Sequence, residues 1–252
     1  MIQKERLSLI LEELEKEETL SLKGIIELTG SSRDTARRDI VKLAETNAVD
    51  RTYGGISLPH SFNRLDEYLD RAQDLDKEKD QLAKVAALFV KDTKLIFLDV
   101  STTISFIPRH LANNSELFAV TNSLDISDQL IRNSDCKTRI LGGNIDRKKR
   151  SVVGTKPLME LEDYHFDFAF LSAAGINTNG IYYAYEEDID YKAKIRAQSD
   201  QVVLLIDETK LNLAHNFRVF DFAEVDTLVT NQLLSDELKE IIERKQVQII
   251  YS

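Results

Sequence analysis

The stretch SSRDTARRDI, residues 31–40, places three arginines and two aspartates within one short segment of a chain whose formal net charge is −10. Ser32 is a favourable N-cap, and Asp34 would lie in the first helical turn, where the helix dipole favours negative charge. These signals predict a helix from Arg33 to about Thr46. Since successive residues turn by about 100°, its apolar residues share one face, and they are Ala36, Ile40, Leu43 and Ala44.

The opposite face of this predicted helix is basic. Thr35, Arg38 and Lys42 share it, with Arg37 on its flank and Arg33 at the N-terminal end, the end that recognition helices point into the major groove. Adjacent arginines are about 100° apart around the axis, so one can reach base edges while the other contacts phosphate. A solvated charged surface explains the same pattern, and the neighbouring segments decide between the two interpretations.

Two shorter helical patterns precede the basic helix. Apolar residues from Ile2 to Leu14 recur mostly every three to five positions, which predicts an amphipathic helix. A second helix is predicted from Leu22 to Leu28, and Gly30 closes it because glycine takes the left-handed conformation that helix ends favour. The order helix, helix, turn, helix is typical of a helix-turn-helix domain.

A β-hairpin is predicted directly after the basic helix. In AVDRTYGGISL, residues 48–58, Val49, Arg51 and Tyr53 alternate, and Gly54-Gly55 can form the turn. This hairpin would be the wing of a winged helix-turn-helix over residues 1–57. We expect DNA contacts from Ser32, Arg33, Thr35, Arg37, Arg38, Lys42, Arg51, Tyr53 and Gly54.

Composition sets the frame for the rest of the chain. The 252 residues are 42% hydrophobic and 30% charged, with 9 Gly and 3 Pro, which describes an ordered protein. This length suits one large α/β domain or two unequal domains, and we expect two. No apolar run reaches the roughly 18 residues of a membrane span, so we expect a cytoplasmic protein. Cys136 is the single cysteine and the four histidines are scattered, so neither a metal site nor a cofactor is expected.

Residues 77–252 alternate apolar runs with helical patterns, after a polar linker over residues 58–76. Continuous rather than alternating hydrophobicity predicts strands buried on both faces, hence an α/β domain with a mostly parallel sheet. Seven runs carry this signal: LIFLD (95–99), LFAV (117–120), TRIL (138–141), FAFLS (168–172), VVLLI (202–206), TLVT (227–230) and VQII (247–250).

Polar residues follow several of these strands, at the sheet edge where parallel sheets bind ligands. The segment 101–103, Ser-Thr-Thr, joins a strand to a helix start, where free amide groups favour a phosphate. A capping turn without a ligand explains the same residues. The run RKKR (147–150) is interpreted as a solvated loop, with a second nucleic-acid patch as the alternative. The acidic residues Glu187, Asp188 and Asp190 near Lys192 are interpreted as a solvated helix start, with a carboxylate for proton transfer as the alternative.

The chain closely resembles the DeoR family of bacterial transcriptional regulators. The N-terminal signature is S-x-x-T-A-R-R-D-I-x-x-L at 32–43 with R-T-Y-G-G at 51–55, and D-V-S-T-T at 99–103, V-T-N-S-L at 120–124 and D-E-T-K at 207–210 match the C-terminal half. The family usually has glycine where this chain has Ser101. The positions where the chain departs from the N-terminal pattern are Ser31, Ala36, Asn47 and Tyr53.

The resemblance implies a C-terminal sensor domain related to ribose-5-phosphate isomerase and glucosamine-6-phosphate deaminase, which binds phosphorylated sugars. Lys192, twelve residues after Gly180, also matches the family pattern. We expect the effector to contact Asp99, Ser101, Thr102, Thr103, Thr121, Asn122, Gly142, Gly143, Lys192, Asp207 and Lys210.

These observations predict a regulator that binds operator DNA as a homo-oligomer, represses a carbohydrate uptake or catabolic operon, and responds to a phosphorylated sugar. The alternative is a sugar-phosphate isomerase, which needs positioned carboxylates for proton transfer. Ala173, Ala174 and Gly175 follow FAFLS where the isomerases have acidic residues, so no catalytic residue and no enzymatic activity are expected. A sugar-phosphate binding protein without a DNA role would leave residues 1–57 unexplained.

Overall fold

A computed structural model describes residues 2–17, 19–46, 48–52, 55–57, 68, 75–91, 93–111 and 114–252. The chain divides into two compact units, Met1–Leu65 and Asp66–Ser252. Most of the predicted linker, residues 58–76, lies outside the described residues, so its boundaries remain a prediction.

The N-terminal unit is a helix-turn-helix with a small sheet. Its elements are α1 (Gln3–Glu17), β1 (Thr19–Ser21), α2 (Leu22–Thr29), α3 (Arg33–Glu45), β2 (Asp50–Thr52) and β3 (Gly55–Ser57). The three predicted helices and the predicted hairpin are confirmed. Strand β1 was not predicted, and it pairs antiparallel with β3 to give the strand order β1-β3-β2. One core joins all these parts: Ile10, Leu14, Ile25, Ala36, Ile40, Leu43, Val49 and Ile56.

Two glycines fix the local geometry of this unit. Gly30 ends α2 in the left-handed conformation, with φ 62° and ψ 20°. Gly55 was predicted as part of the hairpin turn, but it lies in β3, opposite Ser21 and Thr52. A Cβ atom at residue 55 would lie 2.1 Å from the carbonyl oxygen of Leu20, so β1 can approach β3 only where this residue is glycine.

The C-terminal unit is built on a seven-stranded sheet in which every pairing is parallel. Its strands are β4 (Leu95–Leu98), β5 (Phe118–Thr121), β6 (Lys137–Ile140), β9 (Phe166–Ser172), β12 (Ser199–Ile206), β14 (Thr227–Thr230) and β15 (Gln248–Tyr251). They lie in the order β15-β14-β12-β9-β4-β5-β6. Each of the seven predicted apolar runs therefore forms one strand of this sheet.

Helices cover both faces of the sheet. They are α4 (Asp76–Ala86), α5 (Leu124–Asn133), α6 (Thr155–Glu160), α7 (Asp188–Ala197) and α8 (Asp236–Arg244). Along β4, Phe97 belongs to one buried cluster with residues of α7 and α8, whereas Ile96 and Leu98 belong to another with residues of α4 and α5. Successive residues point to opposite faces of a strand, so burial on both faces explains the continuous hydrophobic runs.

Two antiparallel additions were not predicted. Strands β7 (Asn144–Asp146) and β8 (Ser151–Val153) form a hairpin. Strands β10 (Gly175–Asn177), β11 (Gly180–Tyr183) and β13 (Phe217–Phe220) form a second small sheet. No helix within the described ranges is long and apolar enough to span a membrane.

Candidate DNA-binding helix and effector pocket

Helix α3 presents the predicted basic face to solvent. Ser32 caps the helix, because its Oγ accepts a hydrogen bond from the Thr35 backbone N–H at 3.3 Å. The side chains of Ser32, Arg33, Arg37, Arg38 and Lys42 are exposed, and Thr35 is half-buried. The predicted apolar face is buried except for Ala44, which is half-buried against the core. The helix therefore separates its two faces as the sequence predicts.

The wing is described in part. Arg51 lies in β2, where the structure describes its backbone but not its side chain, and Tyr53 and Gly54 lie outside the described residues. The contacts predicted for these three residues therefore stay predictions. Ser31, a polar substitution in the family pattern, hydrogen-bonds through its Oγ to Thr29 Oγ1 at 2.8 Å.

Asp39 is a residue that the sequence reasoning missed. It is buried within the charged run of α3 and accepts hydrogen bonds from Arg6 and Gln3 of α1. Burial alone would raise the pKa of Asp39, but the hydrogen bonds from Arg6 and Gln3 outweigh it and hold the pKa below its ordinary value. In sequence, an aspartate after two arginines resembles another solvent-facing charge, and its partner in the ion pair lies 33 residues away.

In the C-terminal unit, the predicted effector residues form two groups. The first joins Asp99, directly after β4, to Lys192 of α7. Lys192 Nζ lies 2.6 Å from Asp99 Oδ2 and 3.6 Å from Asp188 Oδ1. Burial alone would lower the pKa of Lys192, but the two carboxylates outweigh it and raise the pKa above its ordinary value. Lys192 is therefore a buried cation held by two anions.

A pocket of about 240 Å³ adjoins this pair. Val100 and Asn122 line it from the ends of β4 and β5, and Lys192 lines it from α7. Asn122 Oδ1 accepts a hydrogen bond from the Val100 backbone N–H at 2.9 Å, so the two strand ends are tied together. The hairpin residues on the opposite side are Lys149, Ser151, Val152 and Val153.

The second group consists of Ser172 at the end of β9 and of Thr103, Asp207 and Lys210, which follow β4 and β12. Lys210 Nζ donates to Thr103 Oγ1 at 3.1 Å and to Ser172 Oγ at 3.0 Å, and it lies 3.0 Å from Asp207 Oδ2. Burial alone would raise the pKa of Asp207, but Lys210 and a hydrogen bond from Thr209 hold it below its ordinary value. This group brings a cation and two hydroxyl groups together at the predicted edge of the sheet.

In the loop that follows β4, the Ser101 side chain binds the backbone of the loop itself. Ser101 Oγ accepts hydrogen bonds from the backbone N–H groups of Thr103 at 3.0 Å and Ile104 at 3.4 Å. These amides are the donors that a helix start would offer to an anion. Thr102 is buried between Ser101 and Thr103. The serine at the position of the family glycine thus accepts hydrogen bonds from both of these amides.

The remaining predicted effector residues are further apart. Thr121 Oγ1 donates to the Leu98 carbonyl oxygen at 2.6 Å and accepts from the Ser123 backbone N–H, so its hydroxyl group ties β5 to β4. The Gly142 N–H donates to Glu160 Oε2 at 2.8 Å. Gly143 is exposed, and a Cβ there would lie 2.7 Å from the side chain of Val152. Neither glycine lines the pocket beside Lys192.

Two interpretations of charged segments need correction. In the run at 147–150, Lys149 forms an ion pair with Glu187 and lies 3.5 Å from the centre of the Tyr185 ring, and Arg150 forms an ion pair with Asp125 at 2.7 Å. The solvated-loop interpretation is wrong for Lys149, whose side chain is 17% exposed, whereas Arg150 is 38% exposed and is solvated as well as paired. Glu187 is exposed, as a solvated helix start predicts, but it forms an ion pair with Lys149, so that interpretation is only partly correct.

The chain matches two protein-family models. The DeoR-like helix-turn-helix domain matches residues 6–62, and the DeoR C-terminal sensor domain matches residues 75–232. The transcriptional repressor GlcR of Bacillus subtilis is 34% identical over 99% of this chain and 96% of its own length. The glycerol-3-phosphate regulon repressor of Escherichia coli is 25% identical over 99% of both chains.

Solved structures give a weaker likeness. Ribose 5-phosphate isomerase A from Methanocaldococcus jannaschii is 19% identical and matches 53% of each chain with a TM-score of 0.37, which is too low to support an argument about chemistry. The family models and the relatives cover both units. The chain belongs to the DeoR family of transcriptional regulators.

Proposed function

We propose that this protein is a repressor that binds operator DNA through α3 and releases it in response to a phosphorylated sugar. The observation that carries the proposal is the exposed basic face of α3, with Arg33, Arg37 and Arg38 outward while the opposite face is buried. The names of two relatives, a repressor and a glycerol-3-phosphate regulon repressor, support the same proposal.

The arrangement of charge, rather than its sum, has to provide the DNA affinity. Residues 1–57 hold nine Lys and Arg against eleven Asp and Glu. The two side chains of Arg37 and Arg38 leave the helix about 100° apart, so one can reach base edges while the other contacts phosphate. Arg38 is assigned to base edges and Arg37 to phosphate, and an exchange of these two roles is the alternative. Two copies of the chain would place two such helices on a repeated or palindromic operator. The regulated genes are proposed to be a carbohydrate uptake or catabolic operon.

The effector is proposed to bind between the two polar groups of the sensor domain. Its phosphate would contact Thr102, Thr103 and Lys210, where a cation and hydroxyl groups converge. The sugar would extend toward the pocket that Asn122 and Lys192 line. Binding can change operator affinity only through a preference for one state of the protein over another.

The proposal includes no enzymatic activity. Isomerisation needs positioned carboxylates for proton transfer, and Ala173, Ala174 and Gly175 follow β9 where the isomerases have acidic residues. Incubation with ribose 5-phosphate, glucosamine 6-phosphate and hexose phosphates should return them unchanged. Turnover that Glu187→Gln abolishes would contradict this part of the proposal.

A gel-shift experiment with DNA upstream of the protein's own operon tests the proposal directly. The full-length protein should retard this duplex at concentrations that leave a scrambled duplex of equal length free. A thermal-shift screen of phosphorylated and free sugars then identifies the effector, because a ligand bound only by the folded state raises the melting temperature. The proposal fails if the upstream and scrambled duplexes bind equally, or if the compound with the largest shift does not release the DNA.

A further inference from the structure

Asp39 lies at an unusual place for an acidic residue. It follows Arg37 and Arg38 in the helix proposed to bind DNA, yet only 1% of its side chain is exposed. A buried carboxylate is costly unless it is paired and hydrogen-bonded. The contacts that it makes therefore indicate what the position requires.

The contacts of Asp39 join α3 to the start of α1. Arg6 Nε donates to Asp39 Oδ2 at 2.7 Å, and Arg6 Nη2 donates to Asp39 Oδ1 at 3.1 Å. Gln3 Nε2 donates to the same Oδ1 at 3.1 Å. Both carboxylate oxygens are thus engaged, and the paired bonds from one guanidinium group fix direction as well as distance.

Stability alone is a weak explanation for this pair. Replacement of a buried ion pair by apolar side chains of similar volume is often neutral or stabilising. The apolar contacts of α3, through Ala36, Ile40 and Leu43, already hold the helix in the core. Those contacts have no fixed direction, whereas the paired bonds from Arg6 do, so the ion pair adds a constraint on the rotation of the helix about its axis.

Small rotations matter for DNA recognition. At an outer radius of about 5–6 Å, a rotation of about 10° moves a side chain by about 1 Å. A hydrogen bond to a base edge weakens over a displacement of that size, because donor–acceptor distances span only about 0.5 Å. Contacts to phosphate by flexible, charged side chains tolerate it better. A directional tie on the buried face would therefore act on base reading more than on phosphate contact.

We propose that Asp39, held by Arg6 and Gln3, is a positioning residue that fixes the rotation of α3 and so aims Arg38 at the bases. The inference rests on the proposed function of α3 as the recognition helix. It assigns no DNA contact to Asp39 itself. It predicts a loss of discrimination between sequences rather than a loss of DNA binding as such.

Three full-length variants and one control test this role. Asp39→Asn keeps the shape and removes the charge, and Arg6→Lys keeps the charge but loses the paired geometry. Arg38→Ala reports on the recognition helix itself. Glu27→Gln is the control, because it also removes one negative charge from the domain, and that side chain is 67% exposed with a partner only at 3.7 Å. Each protein is titrated on the upstream duplex and on the scrambled duplex, and its active fraction is measured by stoichiometric titration.

The expected result is a loss of affinity for the upstream duplex but not for the scrambled duplex. Asp39→Asn should bind the upstream duplex about tenfold more weakly, the size of one lost base contact, while affinity for the scrambled duplex, corrected for active fraction, stays within about twofold. Arg6→Lys should show the same selectivity with a smaller loss, and Glu27→Gln should show none. Equal losses on both duplexes, or no loss, would overturn the positioning role.

Two further outcomes remain decisive. If Asp39→Asn does not fold, as judged by circular dichroism, Arg6→Lys alone decides, and unchanged discrimination in that variant rejects the inference. If Arg38→Ala binds both duplexes like the unmodified protein, the assignment of Arg38 to base edges in the proposed function fails instead. The failure of the inference and the failure of the proposed function are thus separated by different variants.

Discussion

The two proposed sites differ in how their polar residues stand before any partner arrives. On α3, the basic side chains are exposed, and the buried pair beneath them belongs to the scaffold. In the sensor domain, Asp99, Thr103, Lys192 and Asp207 are buried and already bonded to other residues of the chain. On α3, Arg38 would give up only one exposed hydrogen bond, from its Nε to the Asp34 carbonyl oxygen at 3.3 Å, whereas an effector bound at the proposed site would have to replace several buried internal contacts with its own.

This difference bears on how a signal arises. A ligand shifts a protein between two states only by its preference for one of them. Where internal ion pairs and hydrogen bonds must open for the ligand, the opened and closed arrangements are physically distinct, and the ligand selects between them. A preformed surface such as α3 offers no such choice, so we assign sensing to the sensor domain and base reading to α3.

The largest effect is expected from breaking the buried pair of the sensor domain. Lys192→Met leaves Asp99 buried without its cation and should lower the free energy of unfolding by about 3–5 kcal/mol. Urea denaturation measures this change. Lys239→Met is the control, because its 3.8 Å pair with Glu243 is exposed and should be worth less than about 1 kcal/mol.

The same variant should depend on pH in a defined direction. Burial already raises the pKa of Asp99, so the folded value lies above the unfolded value of about 3.9. A folded state that binds its proton more tightly than the unfolded chain loses stability as pH rises through that interval. Loss of Lys192 should raise the folded pKa of Asp99 further above the unfolded value. In acidic buffer Asp99 is protonated, so the difference in the free energy of unfolding between the variant and the unmodified protein should become smaller. A gap that widens on acidification would contradict the prediction.

The second effect concerns effector release. Thr102→Ala and Lys210→Ala should weaken the effector by about 1.5–3 kcal/mol, the usual range for hydrogen bonds to charged groups, while operator binding persists. Both variants should then resist release and repress permanently. Release titrations with the compound that gives the largest thermal shift measure this. Superimposable release curves would place the effector elsewhere, and loss of operator binding would show that these residues serve structure.

The third effect concerns the exposed basic side chains of α3. Arg38→Ala should cost about 1–3 kcal/mol of operator affinity and relax sequence preference, whereas Arg37→Ala should weaken binding to all sequences and flatten its salt dependence. Neither change should lower the melting temperature, since both side chains are exposed. Affinity measured at several salt concentrations separates the two roles. Unchanged affinity in both variants would remove α3 from the DNA interface.

The smallest effect is expected at the loop that follows β4. Ser101→Gly removes the hydroxyl group that accepts from the Thr103 and Ile104 amides, and frees those amides for a phosphate. Effector affinity should rise by about 0.5–1.5 kcal/mol, the net value of one hydrogen bond. Calorimetric titration of the two proteins measures the change. Weaker binding by the glycine variant would show that the Ser101 hydroxyl group itself holds the effector.

Much of the fold could be predicted because the burial of a strand or helix determines the spacing of its apolar residues. Strands β4 and β12 are buried on both faces, so their apolar runs are continuous. Helix α3 is buried on one face, so its apolar residues recur with the helical period. Strands β1, β7 and β10 are three residues long and were missed, whereas the equally short β2 and β3 were predicted from the alternation and the glycine pair within residues 48–58.

The candidate site was less readable because its contacts join distant residues. Asp99 pairs with Lys192 across 93 positions, and Lys210 reaches Thr103 across 107. Sequence patterns place each residue at the end of a strand or on a helix, but they do not show which charges cancel. Asp39 was missed for the same reason. Local periodicity reports which face is apolar, and it does not report a buried ion pair on that face.

The strand order of the sensor domain has a consequence for its synthesis. Strand β4 is made first but lies between β5 and β9, and its residue Ile96 pairs with Phe168. Roughly 70 further residues must leave the ribosome before that edge is covered, which takes on the order of several seconds at about 5–20 residues per second. All residues of the N-terminal unit precede β4 in the chain and have been synthesised by then. Each new chain therefore passes through a stage in which the N-terminal unit is already synthesised while an apolar strand edge is open, and an open strand edge favours aggregation.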